Sequence, residues 1–157
     1  MYFYKTPIDY LLMTVNEEGF ITEASFDTKK GKALEVTGEL MNALDSYFDK
    51  GVPLSNKFVS HDLLGTEFQK KVLKLIEKIP FGKTATYKEL ATRLGNENAS
   101  RAFGTACGKN PIALFIPCHR VVRTTGEDFG YSWGKERKEW LLAFEREAAY
   151  RKRSCKE

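Results

Sequence analysis

At 157 residues, with 42% hydrophobic and 29% charged residues, the chain can hold one ordinary domain or a domain with a small appended half. No apolar run approaches the roughly 18 residues of a membrane-spanning helix, and Met1-Tyr2-Phe3-Tyr4-Lys5 lacks a signal-peptide pattern. The net charge of +4 is uneven: residues 1–60 carry six Lys against nine Asp or Glu, or −3, which leaves +7 for residues 61–157. An acidic first part and a basic second part suit a chain whose second part meets a polyanion, although a solvated basic face has the same composition.

Residues 1–30 read as β-structure. Tyr10–Val15 forms a strand, Asn16–Gly19 supplies turn residues and Phe20–Phe26 forms a second strand, so a hairpin is expected. Val36, Leu40, Leu44, Tyr47 and Phe48 then recur at helical spacing until Gly51. This makes a small α/β scaffold over residues 1–57 with no catalytic group in it. A connector follows, in which His61 has no partner motif. A second domain spans residues 64–157.

Thr66-x-x-Gln69 has the form of a capping box and opens a helix with Phe68, Val72, Leu75, Ile76 and Ile79 on its inner face; Pro80 and Gly82 stop it. Thr86-x-x-Glu89 is a second capping box, opening Tyr87–Leu94 before Gly95. A short helix rich in small residues, Ala99–Gly108, follows with Asn98 as its N-cap. Helix, short turn, helix is a helix-turn-helix arrangement. Gly content marks residues 123–134 as a loop. The last helix runs from about Lys135 to Tyr150 with Trp140, Leu141 and Phe144 inside, and residues 151–157 form a charged, frayed tail.

The chemistry concentrates in Ile116-Pro117-Cys118-His119-Arg120-Val121-Val122. The apolar run Ile112–Ile116 before it reads as a buried strand or a segment packed across a core. A cysteine between Ile-Pro and valines is usually a small core hydrophobe. Burying His119 and Arg120 beside it, however, is costly without a purpose, and cationic neighbours raise the thiolate fraction. In an extended segment His119 points away from Cys118, so a bridging water is the easier link. Glu145, beside the apolar stripe of the last helix, needs a partner. Cys107, Cys118 and Cys155 are an odd count without paired spacing, so Cys118 is expected free in a reducing, cytoplasmic setting.

Pro117-Cys118-His119-Arg120-Val121 resembles the signature of the O6-alkylguanine-DNA alkyltransferases, the methylated-DNA–protein-cysteine methyltransferases. The resemblance runs from about Leu64 to Glu145, through Gly65-Thr66-Glu67-Phe68-Gln69, Ile79-Pro80-Phe81-Gly82-Lys83-Thr84, Tyr87, Ser100-Arg101-Ala102, Asn110-Pro111, Gly130-Tyr131-Ser132 and Trp140–Glu145. It implies an α/β protein in which a small ribonuclease H-like sheet-and-helix unit packs on a mainly helical, helix-turn-helix unit. It also implies irreversible transfer of an alkyl group from O6-alkylguanine, less so O4-alkylthymine, in double-stranded DNA to Cys118. The protein would act once, as a monomer, without cofactor or metal; residues 1–60 hold neither Cys nor His for the zinc that some relatives carry.

By the same resemblance Glu145 orients His119, and His119 takes the thiol proton through a water. Tyr87 donates to the base, and Asn110 supports the turn before the cysteine. The second helix enters the minor groove, where Arg101 replaces the extruded nucleotide. Gln69, Lys88, Asn96 and Thr124 lie near phosphates, and Ser100 and Arg120 belong to the same DNA-binding set. The base pocket is formed by Tyr87, Val121, Tyr131, Ser132 and Trp133: the Ser132 amide faces O6, and the Cys118 and Val121 carbonyls accept from the exocyclic amine. Trp133 departs from the small residue common in relatives, which bears on bulky O6 substituents. Two rivals remain. A cysteine hydrolase would have only His61 as its remote histidine. A non-catalytic, alkyltransferase-like lesion binder would lack the cysteine.

Overall fold

The expected hairpin forms within a slightly larger sheet. The computed structural model describes residues 1–61, 65–96, 99–124 and 131–154. Strands β1 (Tyr2–Lys5), β2 (Tyr10–Val15), β3 (Ile21–Asp27) and β4 (Leu34–Glu35) make a sheet of order β3-β2-β1-β4, antiparallel except for the β1–β4 pair. Leu11 opposes Phe26 and Met13 opposes Ala24, and all four are buried. The alternation along β3 breaks where the register shifts near Thr14 and Val15, as a bulge requires.

Helix α1 (Gly38–Lys50) buries Leu44, Tyr47 and Phe48, at i, i+3 and i+4. It meets β1 through Tyr4, whose ring stacks on Phe48 and whose hydroxyl donates to Asp45. Gly51 ends the helix in the left-handed region at φ 66°. Val36 is buried but precedes the helix, where its N–H bonds to the Phe3 carbonyl.

Two compact units result: residues 1–63 with 111–115, and residues 64–110 with 116–157. Segment 111–115, placed with the second part from sequence, packs in the first unit. There it pairs on Ala24 of β3, through Ala24 N–H to the Pro111 carbonyl and Ala113 N–H to the Ala24 carbonyl. Residues 112–116 are buried but form turns rather than a strand. Leu114 sits at φ 71°, a left-handed conformation that costs a side-chain-bearing residue about 1–2 kcal/mol.

The second unit is mainly helical: α2 (Glu67–Glu77), α3 (Tyr87–Arg93), α4 (Ser100–Gly108) and α5 (Lys135–Ser154), with a two-strand ladder of β5 (Ala85–Thr86) and β6 (Val121–Val122). Both capping boxes form, at Thr66–Gln69 and Thr86–Glu89. Helices α2 and α3 both pack on α4. Val72, Leu73, Ile76, Leu90, Phe103 and Leu141 are buried in this unit. Phe68, expected inside, is 38% exposed, because it sits on the first turn of α2 ahead of the stripe at 72, 73 and 76. Ala99 stands at the N-cap of α4 without a side-chain bond, and Asn98 lies outside the described residues. Residues 151–154, expected frayed, continue α5. Gly82, at φ 78°, lets the Pro80–Lys83 turn press on α5; a Cβ there would meet the Ala149 Cβ at 2.6 Å.

Candidate active site

Asn110 builds the link between α4 and the cysteine. Its N–H donates to the Cys107 carbonyl, and its buried Nδ2 donates to the Ile116 carbonyl at 3.0 Å and to Cys118 Sγ at 3.2 Å. It therefore touches the Cys118 sulfur as well as supporting the turn. Cys118–Arg120 form one turn of 3-10 helix, not the extended segment read from the sequence. The chain then enters β6, where Ala85 pairs with Val121. Because Thr86 ends β5 and caps α3, that short ladder places Tyr87 next to the segment carrying Cys118.

His119 and Glu145 are fully buried and meet at 2.9 Å between Nε2 and Oε2. A carboxylate only accepts, so Nε2 carries the proton and Nδ1 keeps its lone pair. Nδ1 is buried and makes no hydrogen bond among the described residues. Arg120, assigned to the DNA face from sequence, is instead buried. Its Nε and Nη2 grip the two Glu145 oxygens at 2.7 and 2.9 Å, and Nη1 donates to the Ile79 carbonyl. Its guanidinium also lies over the Phe81 ring. Burial pushes the Glu145 carboxyl up, but His119 and the two-pronged Arg120 contact outweigh it and hold the group well below the usual carboxylate range. Burial dominates for His119 and lowers its pKa despite Glu145, so the imidazole is neutral at pH 7.

Two groups near Cys118 escaped the sequence reading. Cys107, in the last turn of α4, is buried and hydrogen-bonded to Cys118. Lys138 is only 1% exposed, and its Nζ donates to the Val121 carbonyl at 2.6 Å. The Cys107 bond lowers the Cys118 pKa most; burial opposes it, and Asn110 and the Lys138 charge add to the lowering. Spacing could have found both residues. Lys138, Leu141 and Glu145 share one face of α5, and Phe103, Ala106 and Cys107 share one face of α4.

Of the expected pocket residues, Val121 is buried; its carbonyl already accepts from Lys138 and retains a second lone pair. Tyr87 is half-buried and packs edge-on against Phe103. Tyr131 and Trp133 meet edge-on at 5.3 Å. The Tyr131 hydroxyl is buried without a hydrogen bond among the described residues, and burial raises its pKa, so it stays a neutral donor. The Ser132 hydroxyl donates to the Gly108 carbonyl, tying this segment to the end of α4. Residues 125–130 of the expected rim loop lie outside the described residues.

Among the expected DNA contacts, Lys88, Asn96, Arg101 and Thr124 are exposed, and Ser100 is half-buried at the start of α4. Arg101 lines an open depression with Phe68, Gln69, Thr105 and Lys109. The Gln69 carbonyl oxygen caps α2 by accepting from the Thr66 N–H, so its amide nitrogen is the end left for other contacts.

The pair of buried titrating groups sets an acid response. Folded His119 resists protonation, so stability is full above the ordinary histidine value of 6.5 and falls as pH drops below it. Glu145, with its folded pKa depressed, adds a second decline from about 4.5 downward, where the unfolded chain takes up protons first. Urea midpoints measured by tryptophan fluorescence are expected to decline in these two stages, with the first removed in His119→Gln. A midpoint flat from pH 7 to about 5 in the parent contradicts a neutral buried His119.

A family model described as 6-O-methylguanine DNA methyltransferase, DNA binding domain, matches residues 67–147. A methylated-DNA–protein-cysteine methyltransferase of Methanosarcina barkeri is 39% identical over 156 residues, covering 90% of this chain and 93% of that protein. A probable methylated-DNA–protein-cysteine methyltransferase of Acanthamoeba polyphaga mimivirus is 54% identical over 85 residues, 54% of this chain and 56% of that protein. Among solved structures, Mycobacterium tuberculosis OGT in complex with DNA superposes with a TM-score of 0.80 at 32% identity, covering 94% of this chain and 92% of that one. With the matched domain spanning every residue of the Cys118–His119–Glu145 cluster, the chain belongs to the methylated-DNA–protein-cysteine methyltransferase family.

Proposed function

We propose that this protein repairs duplex DNA by moving the alkyl group of O6-alkylguanine, and less readily of O4-alkylthymine, to its own Cys118 in a single turnover. The observation that carries this is the buried His119–Glu145 pair: Nε2–H is committed to Glu145, and the buried Nδ1 makes no hydrogen bond among the described residues. Through a bridging water Nδ1 takes the Cys118 proton. The thiolate then attacks the O6-linked carbon in line, forming the S–C bond as the C–O bond breaks. Tyr87 donates to N3 of the departing base, so guanine leaves neutral. The product is a thioether, and none of the groups named at the site would hydrolyse a C–S bond.

Helices α3 and α4 act as the helix-turn-helix, with α4 in the minor groove and Arg101 filling the stack as the base flips. Lys88, Asn96, Ser100, Thr124 and the Gln69 amide serve the backbone. Tyr131, Trp133, Val121 and the Ser132 amide hold the flipped base. The sheet with α1 is the ribonuclease H-like scaffold of residues 1–57, and residues 64–157 carry DNA binding and catalysis. The protein works as a monomer in the cytoplasm.

Mixing with excess O6-methylguanine duplex is expected to add one methyl, on the Cys118 peptide, and then stop. Turnover beyond one equivalent, or label on Cys107 or Cys155, overturns this reading; no methyl uptake with tight lesion binding favours a non-catalytic binder.

A further inference from the structure

The first turn of α2 and one face of α4 enclose an open depression of about 600 Å³, and no carboxylate lines it. Its floor is apolar. Ala102 and Ala106 bring only methyl groups, Thr105 turns its hydroxyl onto the Arg101 carbonyl, and the Phe68 ring lies beside them with 38% of its surface exposed. Apolar surface left in water along a groove, with a polar rim, marks an interaction site. Arg101 and Lys109 line the two ends, about 12 Å apart along the helix at 1.5 Å per residue. Both are exposed, and neither side chain has a hydrogen-bond or ion-pair partner among the described residues. Gln69 supplies a donor at the rim. Its Oε1 is held by the Thr66 N–H at 2.9 Å, which turns its amide nitrogen free. Gly65, at φ 94°, makes room for that cap: a Cβ there would lie 1.8 Å from the Gln69 oxygen.

We propose that this depression seats the sugar–phosphate backbone of a DNA strand next to the lesion, with Lys109 on a phosphate and Phe68 against a deoxyribose. This rests on the reading above, in which Arg101 enters the stack; Lys109 is then the cation that stays in the depression. A nucleic-acid backbone alternates an anion with an apolar ring, and the lining alternates in the same way, with cations at the ends and an aromatic ring and methyl groups between. An acidic peptide would satisfy the cations but carries no repeating ring for the floor. The net +7 of residues 61–157 favours a polyanion of high charge density. Holding the strand at the end of α4 away from Arg101 gives the rotating nucleotide a fixed neighbour. A lysine at a helix C-terminus also complements the helix dipole, but that role asks nothing of Phe68 and leaves no mark on the salt dependence of DNA binding.

Binding of an undamaged, fluorescently labelled duplex is measured by anisotropy across a salt series for the parent, Lys109→Gln, Lys109→Arg and Phe68→Ala. Methyl uptake from O6-methylguanine duplex is followed by mass spectrometry in the same proteins. Lys109→Gln is expected to weaken binding about fivefold to tenfold at about 0.1 M salt and to reduce the slope of log Kd against log salt by about one, whatever the DNA sequence. Lys109→Arg keeps the charge and is expected to keep the parental slope. Phe68→Ala is expected to weaken binding a few-fold with the slope unchanged, because it removes apolar area and no charge. Both positions are exposed, so the fold tolerates these changes. A parental slope in Lys109→Gln, or parental affinity in Phe68→Ala, overturns the proposal. Poly-glutamate binding the parent as tightly as the duplex at the same salt overturns it too, in favour of an acidic protein partner. If the variant effects on duplex binding appear while the parent accepts no methyl, the assigned reaction fails and the role of the depression stands.

Discussion

Arg120→Ala is expected to lower the unfolding free energy by about 3–5 kcal/mol, the usual cost of removing one partner of a buried ion pair. The reason is local. Glu145 is 1% exposed, and the guanidinium fork satisfies both of its oxygens while a third nitrogen satisfies the Ile79 carbonyl. Without it, a buried carboxylate loses both guanidinium contacts and either protonates or draws in water. Arg120→Lys should recover only part of the loss, since an ammonium cannot hold two carboxylate oxygens and a carbonyl in one plane. Urea unfolding followed by tryptophan fluorescence measures both. A loss below about 1 kcal/mol, the worth of an exposed pair, would contradict the burial of this cluster. Methyl transfer by the folded fraction should fall as well, because Arg120 keeps Glu145 ionised and so keeps the His119 proton on Nε2.

Arg101→Ala and Cys118→Ser should separate base extrusion from chemistry. Cys118→Ser is expected to abolish transfer from both methylated duplex and free O6-benzylguanine, because an alcohol is scarcely ionised at neutral pH. Its DNA binding should persist, since phosphate contacts need no thiol. Arg101 is exposed on the first turn of α4, remote in role from the buried cluster. Arg101→Ala should slow duplex repair by on the order of tenfold to a hundredfold, the kinetic worth of part of a few kcal/mol of unstacking. It should leave the reaction with the free base nearly unchanged, provided that base can pass Tyr131 and Trp133. Equal losses in both assays, with the fold intact, would place Arg101 in the support of the active site and end its flipping role.

Local rules carried much of this protein. The strand pair at 10–27, both capping boxes and the extents of α2 and α3 followed from period, cap residues and glycine stops, all of which act within a few residues. The polar triplet after Pro117 marked a segment with buried polar partners, and Glu145 announced a need for one by standing beside an apolar stripe. These are statements about neighbours along the chain, and they held wherever neighbours decide.

Tertiary structure decided the rest, because burial and hydrogen-bond satisfaction are settled between segments far apart in sequence. Arg120 looked like a DNA-facing cation; the carboxylate at 145 and the carbonyl at 79 make it an internal clamp. Phe68 kept its exposure because the stripe of α2 starts a turn later. Residues 111–115 joined the first unit through their pairing with Ala24, which no feature of their own composition specifies. Spacing puts Cys107 and Lys138 on the inner faces of their helices, but the folding of α4 and α5 around the 118–121 segment is what sets Lys138 on the Val121 carbonyl. The sequence alone singled out Cys118 as the candidate nucleophile, and the tertiary structure determined which groups surround its sulfur, because a thiol's ionisation depends on donors and charges brought to it through space.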